Sequence, residues 1–462
     1  MRKKSVAFCT AAALTCCLAM QVSAQEKDVV TALLPPVSST YQEQVAGWIE
    51  EFQNENPDIE VELTTASWED MKQKLDVQVN AGSPPDLAFV NYGEISTYLD
   101  LGMLVDLTPY LEEETLSDFD EPVLNFFRNG EGLYGLPAYC QVFSIGGNRE
   151  FLENAGIDWK SVQTNGWTYD EFREAIKKGV VKDENGETKT YGFVFACSGV
   201  TATDYFNIFV NNAGMPCEFD EELKYTYTSP KMLQFLEDIR ALIDDGSMPA
   251  ELSAVDAGKR WNMMLTGQTM ITGKGLPSFE MSAAVNTQKL EAADGSAVEN
   301  SIPVEYIVLP VPVFENGTQQ AYSQVEGYIC LTGEKDPDEE HLKNVAKLAD
   351  YLSSGERAAL TCQELYLNPV CESGRTAYAE LPPIENKNED NTKAVELLTS
   401  QIAEARTDIP ADLHSRALQI RDEVIVPKFQ GLLAGEVTAQ EMYDAITKAA
   451  YDEFGEDGCV TQ

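Results

Sequence analysis

Three strand-like runs separated by single amphipathic helices open the chain, and that order constrains the fold more than any other feature. Val29-Val30-Thr31-Ala32-Leu33-Leu34 is a nearly continuous apolar run closed by Pro35-Pro36, the pattern of a strand buried on both faces. Thr40 with Glu43 reads as a capping box, and Val45, Trp48, Ile49 and Phe52 then fall on one helical stripe that Asn56-Pro57 ends. Ile59, Val61 and Leu63 alternate with acids as a second strand. Ser67 with Asp70 opens a second helix carrying Met71, Leu75 and Val79, which Gly82 closes, and Leu87-Ala88-Phe89-Val90 is the third strand. Strands joined by single helices pair in parallel through right-handed crossovers. Open sheets of this kind collect ligands beyond the carboxyl ends of their strands. The third strand ends there in Asn91-Tyr92-Gly93-Glu94, the first in Pro36 to Thr40, and the second leads to Trp68, so a binding edge is expected at these residues.

At 462 residues the chain is too long for one core, and roughly two or three domains are expected. Residues 1–24 read as a secretory signal: Arg2, Lys3 and Lys4, an apolar stretch from Val6 to Met20, then Val22-Ser23-Ala24 before the cut. A cut before Cys17, three residues after Leu14, is the lipoprotein alternative; Cys16 and the absence of a Gly/Ser tether weigh against it. No other segment approaches the ~20 uninterrupted apolar residues of a membrane span. With 33 basic and 76 acidic residues the formal charge is −43, a field that serves solubility and repels phosphate backbones, so nucleic acid is not an expected partner. Beyond the signal the cysteines are Cys140, Cys197, Cys217, Cys330, Cys362, Cys371 and Cys459. Their number is odd and no CxxC occurs, so neither a zinc site nor a full disulfide framework is indicated. A single Cys362–Cys371 bridge and buried free thiols both stay open.

Asn129-Gly130 and Gly132 mark a turn, followed by an extended apolar stretch and a helix from about Arg149. Val180 to Val194 reads as two strands around Asn185-Gly186, a hairpin signal, and the acids beside it lack calcium-loop spacing. Helices are expected around Pro230 to Asp244 and His341 to Ser353, a polar loop over Leu381 to Thr392, and a helical tail from about Asp412.

In this order the segments resemble the bacterial extracellular solute-binding protein family, which includes the maltodextrin-binding proteins of ABC importers. Gly82-Ser83-Pro84-Pro85-Asp86-Leu87 with Leu101-Gly102-Met103-Leu104-Val105-Asp106-Leu107 is similar to the family's GxxPDV … xGxLxPL. Gly132-Leu133-Tyr134-Gly135-Leu136-Pro137 with Asn148-Arg149-Glu150-Phe151 is similar to GKxYGLP … YNKDLF. Gly166 to Phe172 resembles PxTWDEF, Gly267 to Met270 resembles GKAAM, His341 to Val370 resembles AxxFxxFLxSxExQ … PV, and Leu433 to Ile446 resembles GxxSxEEALxxI.

The resemblance implies an α/β, periplasmic binding protein-like (type II) fold of two α/β lobes joined by a multi-strand hinge. The N-lobe would be 28–140 plus 318–385, the C-lobe 141–312 plus 400–455, with the hinge near 139–144 and 311–320. It implies a monomeric receptor without catalytic activity, cofactor or metal, exported to the periplasm or the outer face of the bacterial membrane. Such a receptor closes on a sugar or other small solute and delivers it to ABC permease transmembrane subunits. A binding subunit that presents ligand to a membrane sensor has the same sequence signature.

A sugar calls for flat apolar faces and convergent hydrogen-bonding groups at the ring edge. The strand ends and the resemblance nominate Ser38, Ser39, Tyr41, Trp68, Asn91, Tyr92 and Glu94 in the N-lobe, and Tyr139, Gln141 and Phe143 at the hinge. In the C-lobe they nominate Thr203, Asp204, Tyr205 and Asn207, then Gly275 to Phe279; Glu326 and Gly327 follow the second crossing, and His414 and Arg416 start a late helix. Tyr205 and Phe206 cannot both face a cleft, and Trp68 has an equal claim to stapling its own helix. The chain departs from the maltodextrin type: Gly275-Leu276-Pro277 stands where a stacking tryptophan is found, with Phe279 the nearest aromatic, and Arg416 stands at another such position. A long glucan is therefore in doubt, and a different sugar, or a solute with an anionic group near Arg416, stays open. The rival class, a secreted carbohydrate-active hydrolase, lacks local support: there is no HExxH, no G-x-S-x-G, and the chain holds 2 histidines.

Overall fold

The opening β-α-β-α-β pattern builds the parallel half of a mixed sheet. In the computed structural model, which describes residues 27–38, 40–198, 201–293, 295–315, 317–333, 338–385 and 387–461, β1 (Asp28–Leu34) pairs in parallel with β2 (Ile59–Thr65) and β3 (Leu87–Asn91). The leader 1–24, Cys17 and Ser39 lie outside the described residues. The helix Tyr41–Glu55 buries Val45, Trp48, Ile49 and Phe52 as its stripe requires. A short hairpin of β4 (Arg128–Asn129) and β5 (Gly132–Leu133) turns at Gly130, whose φ of +56° favours a residue without Cβ. β6 (Gly135–Val142) then joins the first sheet and β7 (Ser144–Asn148) the second.

The hairpin β8 (Val181–Lys182) and β9 (Thr188–Phe195), with β10 (Thr269–Gly275) and β11 (Tyr306–Leu309), completes the second sheet in the order β11-β7-β10-β9-β8. β12 (Ser323–Cys330) returns to the first, whose order is β2-β1-β3-β12-β6, and runs antiparallel to both its neighbours. The chain thus crosses between sheets around Phe143 and again between Leu309 and Ser323. Each sheet has its own core: Tyr41, Phe52, Phe89, Phe127 and Tyr328 anchor the first, and Phe172, Phe193, Tyr205, Phe209 and Phe429 the second.

Two expectations are corrected locally, and the alternative left open for the cysteines is decided. Thr40 makes no cap to its helix, because its backbone is helical (φ −109°, ψ −7°) and not in the extended conformation that aims a cap's oxygen at the first N–H groups; its hydroxyl and that of Ser38 donate to Glu364, joined by Gln44 Nε2 at 2.8 Å. The polar loop from Leu381 ends earlier than its composition indicates, at Asn388, whose side chain caps the helix Glu389–Thr399. Every described cysteine is a free thiol, Cys362 and Cys371 included.

One ion cluster ties a helix to the start of the first sheet and carries a pH dependence. On the helix Glu339–Ser353, His341 places Nδ1 2.8 Å from Asp28 Oδ1 and Nε2 3.2 Å from Asp86 Oδ1. The hydrogen bond to Asp86, then that to Asp28, raises the imidazole to about 9 against the opposing effect of burial. Asp86 itself lies below the usual carboxylate range: burial alone would raise it, but bonds from His341 and Thr31 outweigh that. A raised histidine stabilises the fold fully below its unfolded value near pH 6.5 and loses that contribution as pH rises through about 9. His341→Gln is therefore expected to cost roughly 2–3 kcal/mol in urea unfolding at pH 6, with the gap to the natural protein closing near pH 10. A gap constant across that range would show that the charge contributes nothing.

Candidate functional site

The carboxyl ends of the first sheet's strands face the second sheet across a cleft of about 1560 Å³. On the first-sheet wall, Trp68 starts its helix just after the cap Ser67, is 42% exposed, and donates from Nε1 to the Pro36 carbonyl oxygen at 3.1 Å. Its ring edge rests on Phe89, 6.1 Å between centroids, so the ring is held without being covered. Asn91 folds its Oδ1 back to accept from Gly93 N at 2.8 Å, leaving a buried Nδ2 without a partner at the cleft. Tyr92 is fixed edge-on to Phe126 at 4.7 Å. Burial pushes the Glu94 carboxyl up, and Lys72 and Arg421 partly reverse this.

The floor is made where β12 meets β6. Tyr139 donates its hydroxyl to Glu326, whose carboxyl burial pushes upward, and Gln141 lies beside them. A register shift between Glu326 and Gly327 pairs Glu326 with Tyr139 and Gly327 with Pro137, a bulge that accommodates a proline lacking its N–H.

On the second-sheet wall, Asp204 accepts from Lys274 Nζ at 3.2 Å, and that ammonium sits 4.1 Å from the centroid of Phe143. Asn207 donates to the Tyr322 hydroxyl at 3.3 Å. Phe279 stacks on Trp261 at 4.5 Å. From the tail, His414 lies with Nδ1 2.8 Å from Ser96 Oγ, joining the late helix to the first-sheet wall; burial lowers its pKa, and Glu218 opposes that.

Of the nominated residues, Ser38, Trp68, Asn91, Tyr92, Glu94, Tyr139, Gln141, Thr203, Asp204, Asn207, Leu276, Ser278, Phe279, Glu326 and His414 line this cleft, and Pro277 between them does not. Six others do not, each for a packing reason. Tyr41 is buried with its hydroxyl 2.7 Å from that of Tyr328. Phe143 is core, serving as the face under Lys274. Tyr205 stacks on Phe195 at 4.5 Å inside the second core. Gly275 presses on the Ile145 backbone and Gly327 on the Leu136 carbonyl, so both are steric necessities of the sheets. Arg416 points outward to Asp412 and Glu453 at 3.3 and 3.4 Å, so the alternative left open, a solute anion beside Arg416, has no support in the cleft.

Sequence reasoning missed Lys72, Arg260, Trp261, Lys274, Tyr322 and Arg421, all of which line the cleft. Only Lys274 stood in a visible motif, Gly273-Lys274-Gly275, which is too short to be a phosphate loop. Among the described residues no cluster of His, Cys, Asp or Glu is disposed to hold a metal, and no helix is long and apolar enough to cross a membrane.

Comparison with known proteins agrees with this geometry. Residues 34–357 match the family described as bacterial extracellular solute-binding protein. The chain is 26% identical over 209 residues to the arabinooligosaccharide-binding protein of Halalkalibacterium halodurans, covering 43% of this chain and 42% of that one. An ABC substrate-binding protein from Listeria monocytogenes in complex with cycloalternan matches with a TM-score of 0.69 at 20% identity, over 93% of this chain and 99% of that chain. The maltose/maltodextrin-binding domain from Bdellovibrio bacteriovorus bound to maltotriose gives 0.68 at 17% identity, over 92% and 99%. Both are similar to this chain in fold: the α/β, type II periplasmic binding architecture.

Proposed function

This chain belongs to the bacterial extracellular solute-binding protein family, and from that premise we propose that it captures an oligosaccharide between two lobes and delivers it to the transmembrane subunits of an ABC importer. Family membership makes it a receptor and not a catalyst. The observation that carries the carbohydrate reading is the cleft itself. At about 1560 Å³ it exceeds the ~300–1,000 Å³ typical of pockets for single small molecules. It also sets the aromatic faces of Trp68, Tyr92 and Trp261 among side chains able to bond hydroxyls. The bound sugars of the Listeria and Bdellovibrio proteins and the name of the Halalkalibacterium relative support the same class.

Closure follows from differential contact: a guest touching both walls stabilises the shape in which both reach it. Lys72 and Glu94 of the first-sheet wall interact electrostatically with Arg421 and Asp422, which continue the late helix that His414 joins to that wall. The receptor works as a monomer outside the cytoplasm, free or lipid-anchored.

Thermal-shift and calorimetric screening of mono- and oligosaccharides is the direct test. A guest at 100 times its Kd adds about 2.7 kcal/mol to stability, and small-angle scattering should show compaction with it. Trp68→Ala is expected to weaken that binding about tenfold while leaving the apo melting temperature within a few degrees, since the residue is 42% exposed. A panel with no binder sinks the carbohydrate reading, and turnover of a glycoside transfers the protein to the hydrolase class.

A further inference from the structure

We propose that the captured oligosaccharide is anionic, and that the Arg260 guanidinium in the second-sheet wall of the cleft binds a uronosyl carboxylate; this rests on the carbohydrate reading above. Arg260 lies on the helix Ala257–Leu265, is 5% exposed, and lines the cleft. One guanidinium nitrogen donates to the Lys274 carbonyl oxygen, and the group lies 4.8 Å from the centroid of Phe279. Its Nε is buried with no hydrogen-bond partner, and among the described residues no carboxylate stands within ion-pairing distance of it.

The other cations of the cleft are provided for. Lys274 has Asp204 at 3.2 Å, Arg421 has Asp422 at 2.9 Å, Arg406 has Asp408 at 2.7 Å, and Lys72 has Asp76 at 2.8 Å. Arg128, which has no ion pair among the described residues, is half-buried and reached by water. Among the described residues Arg260 alone of these is both buried and without a carboxylate at ion-pairing distance. Burial lowers it to about 10, so it remains a cation at neutral pH. A buried charge without its opposite is costly, and a guanidinium cannot escape by shedding its proton.

The local balance points the same way. Asp204, the carboxylate whose charge acts on Arg260, is already bonded to Lys274 Nζ at 3.2 Å. The guanidinium fork matches a carboxylate in shape, giving two charge-assisted bonds where a hydroxyl gives one. Trp261, half-buried on the same helix, offers an apolar ring beside it for the sugar's C–H face. The competing role is structural: Arg260 would merely brace Phe279 and the Lys274 carbonyl.

The test is calorimetry of the purified full chain with trimers of galacturonate, glucuronate and mannuronate, each against the neutral hexose trimer of the same linkage. At least one uronate is expected to bind tenfold or more tighter than its neutral counterpart. In Arg260→Gln that advantage should shrink at least fivefold, with Arg260→Lys, which keeps charge but loses the fork, in between. Neutral trimers binding as tightly as uronates would overturn the inference and leave the carbohydrate reading standing, whereas binding of neither class would end both. Binding confined to sulfated or phosphorylated sugars would overturn the carboxylate assignment. A uronate preference undiminished in Arg260→Gln would return Arg260 to its bracing role. Should that variant fail to fold, the comparison within the natural protein and the lysine variant still decide.

Discussion

Gly327→Ala is expected to destabilise the protein by about 3 kcal/mol or more, the upper range for overpacking, although it adds a single methyl group. A Cβ at this position would lie 2.1 Å from the Leu136 carbonyl oxygen and 2.9 Å from Pro137 Cα. Both are backbone atoms, so no side chain can swing aside. Gly327 sits between β3 and β6, opposite Val90 on one side and Pro137 on the other. β12 and the edge strand β6 must therefore part, and ladder bonds break with them. The bulge that aims Tyr139 and Glu326 at the cleft would move too, so binding should weaken along with stability. Gly47→Ala is the control, a solvent-facing helical glycine whose Cβ would meet nothing within 4 Å; there a gain of about 0.5–1 kcal/mol is expected. Equal urea midpoints for Gly327→Ala and the natural protein would show that close strand approach is not what this glycine serves.

Gly327 also marks the limit of what the sequence discloses. Its neighbourhood to Glu326 made it a ligand candidate, and nothing local separates a glycine that admits a sugar from one that admits another strand. Tyrosines behave alike: Tyr41 and Tyr92 both follow strand ends, but Tyr41 meets Tyr328, a residue remote in the chain, and is absorbed into the core. What was legible rests on short-range pattern. The strands of the opening unit and the helix stripe of Val45, Trp48, Ile49 and Phe52 could be read because their period and their burial agree. Asn91 and Tyr92 followed from strand polarity alone.

The late helix shows a third kind of loss. Arg416 was the cation in view, and Arg421, one turn on, is the one that reaches the cleft. Between the helices Ala411–Ile420 and Val426–Ala434 the backbone runs as a π-helical turn over Arg421–Ile425. His414, Leu418 and Arg421 fall at i, i+4 and i+7 on one helical stripe along the cleft and Arg416 lies off it, so the period counted from His414 leads to Arg421 where the resemblance led to Arg416.

Asn391→Ala should be the most damaging truncation of a single polar side chain in the second-sheet lobe, at about 3–5 kcal/mol. β11 is an edge strand, and such an edge leaves backbone groups unpaired unless something covers it. The Asn391 amide does so in the manner of a missing strand: Nδ2 donates to the Tyr306 carbonyl oxygen at 2.8 Å and Oδ1 accepts from Val308 N at 2.9 Å. Its remaining donor goes to Glu280 Oε2 at 2.8 Å and its remaining acceptor site to Gln163 Nε2 at 3.1 Å. The full capacity of the amide is thus used inside the protein, where each orphaned partner costs about 1–3 kcal/mol. Asn391→Asp should be no better, since a carboxylate would set oxygen against both the Tyr306 carbonyl and Glu280. Urea unfolding measures the loss, and faster hydrogen exchange at the Val308 amide locates it. A loss under about 1 kcal/mol with that amide still protected would mean water replaces the asparagine at no cost, and the edge needs no cover.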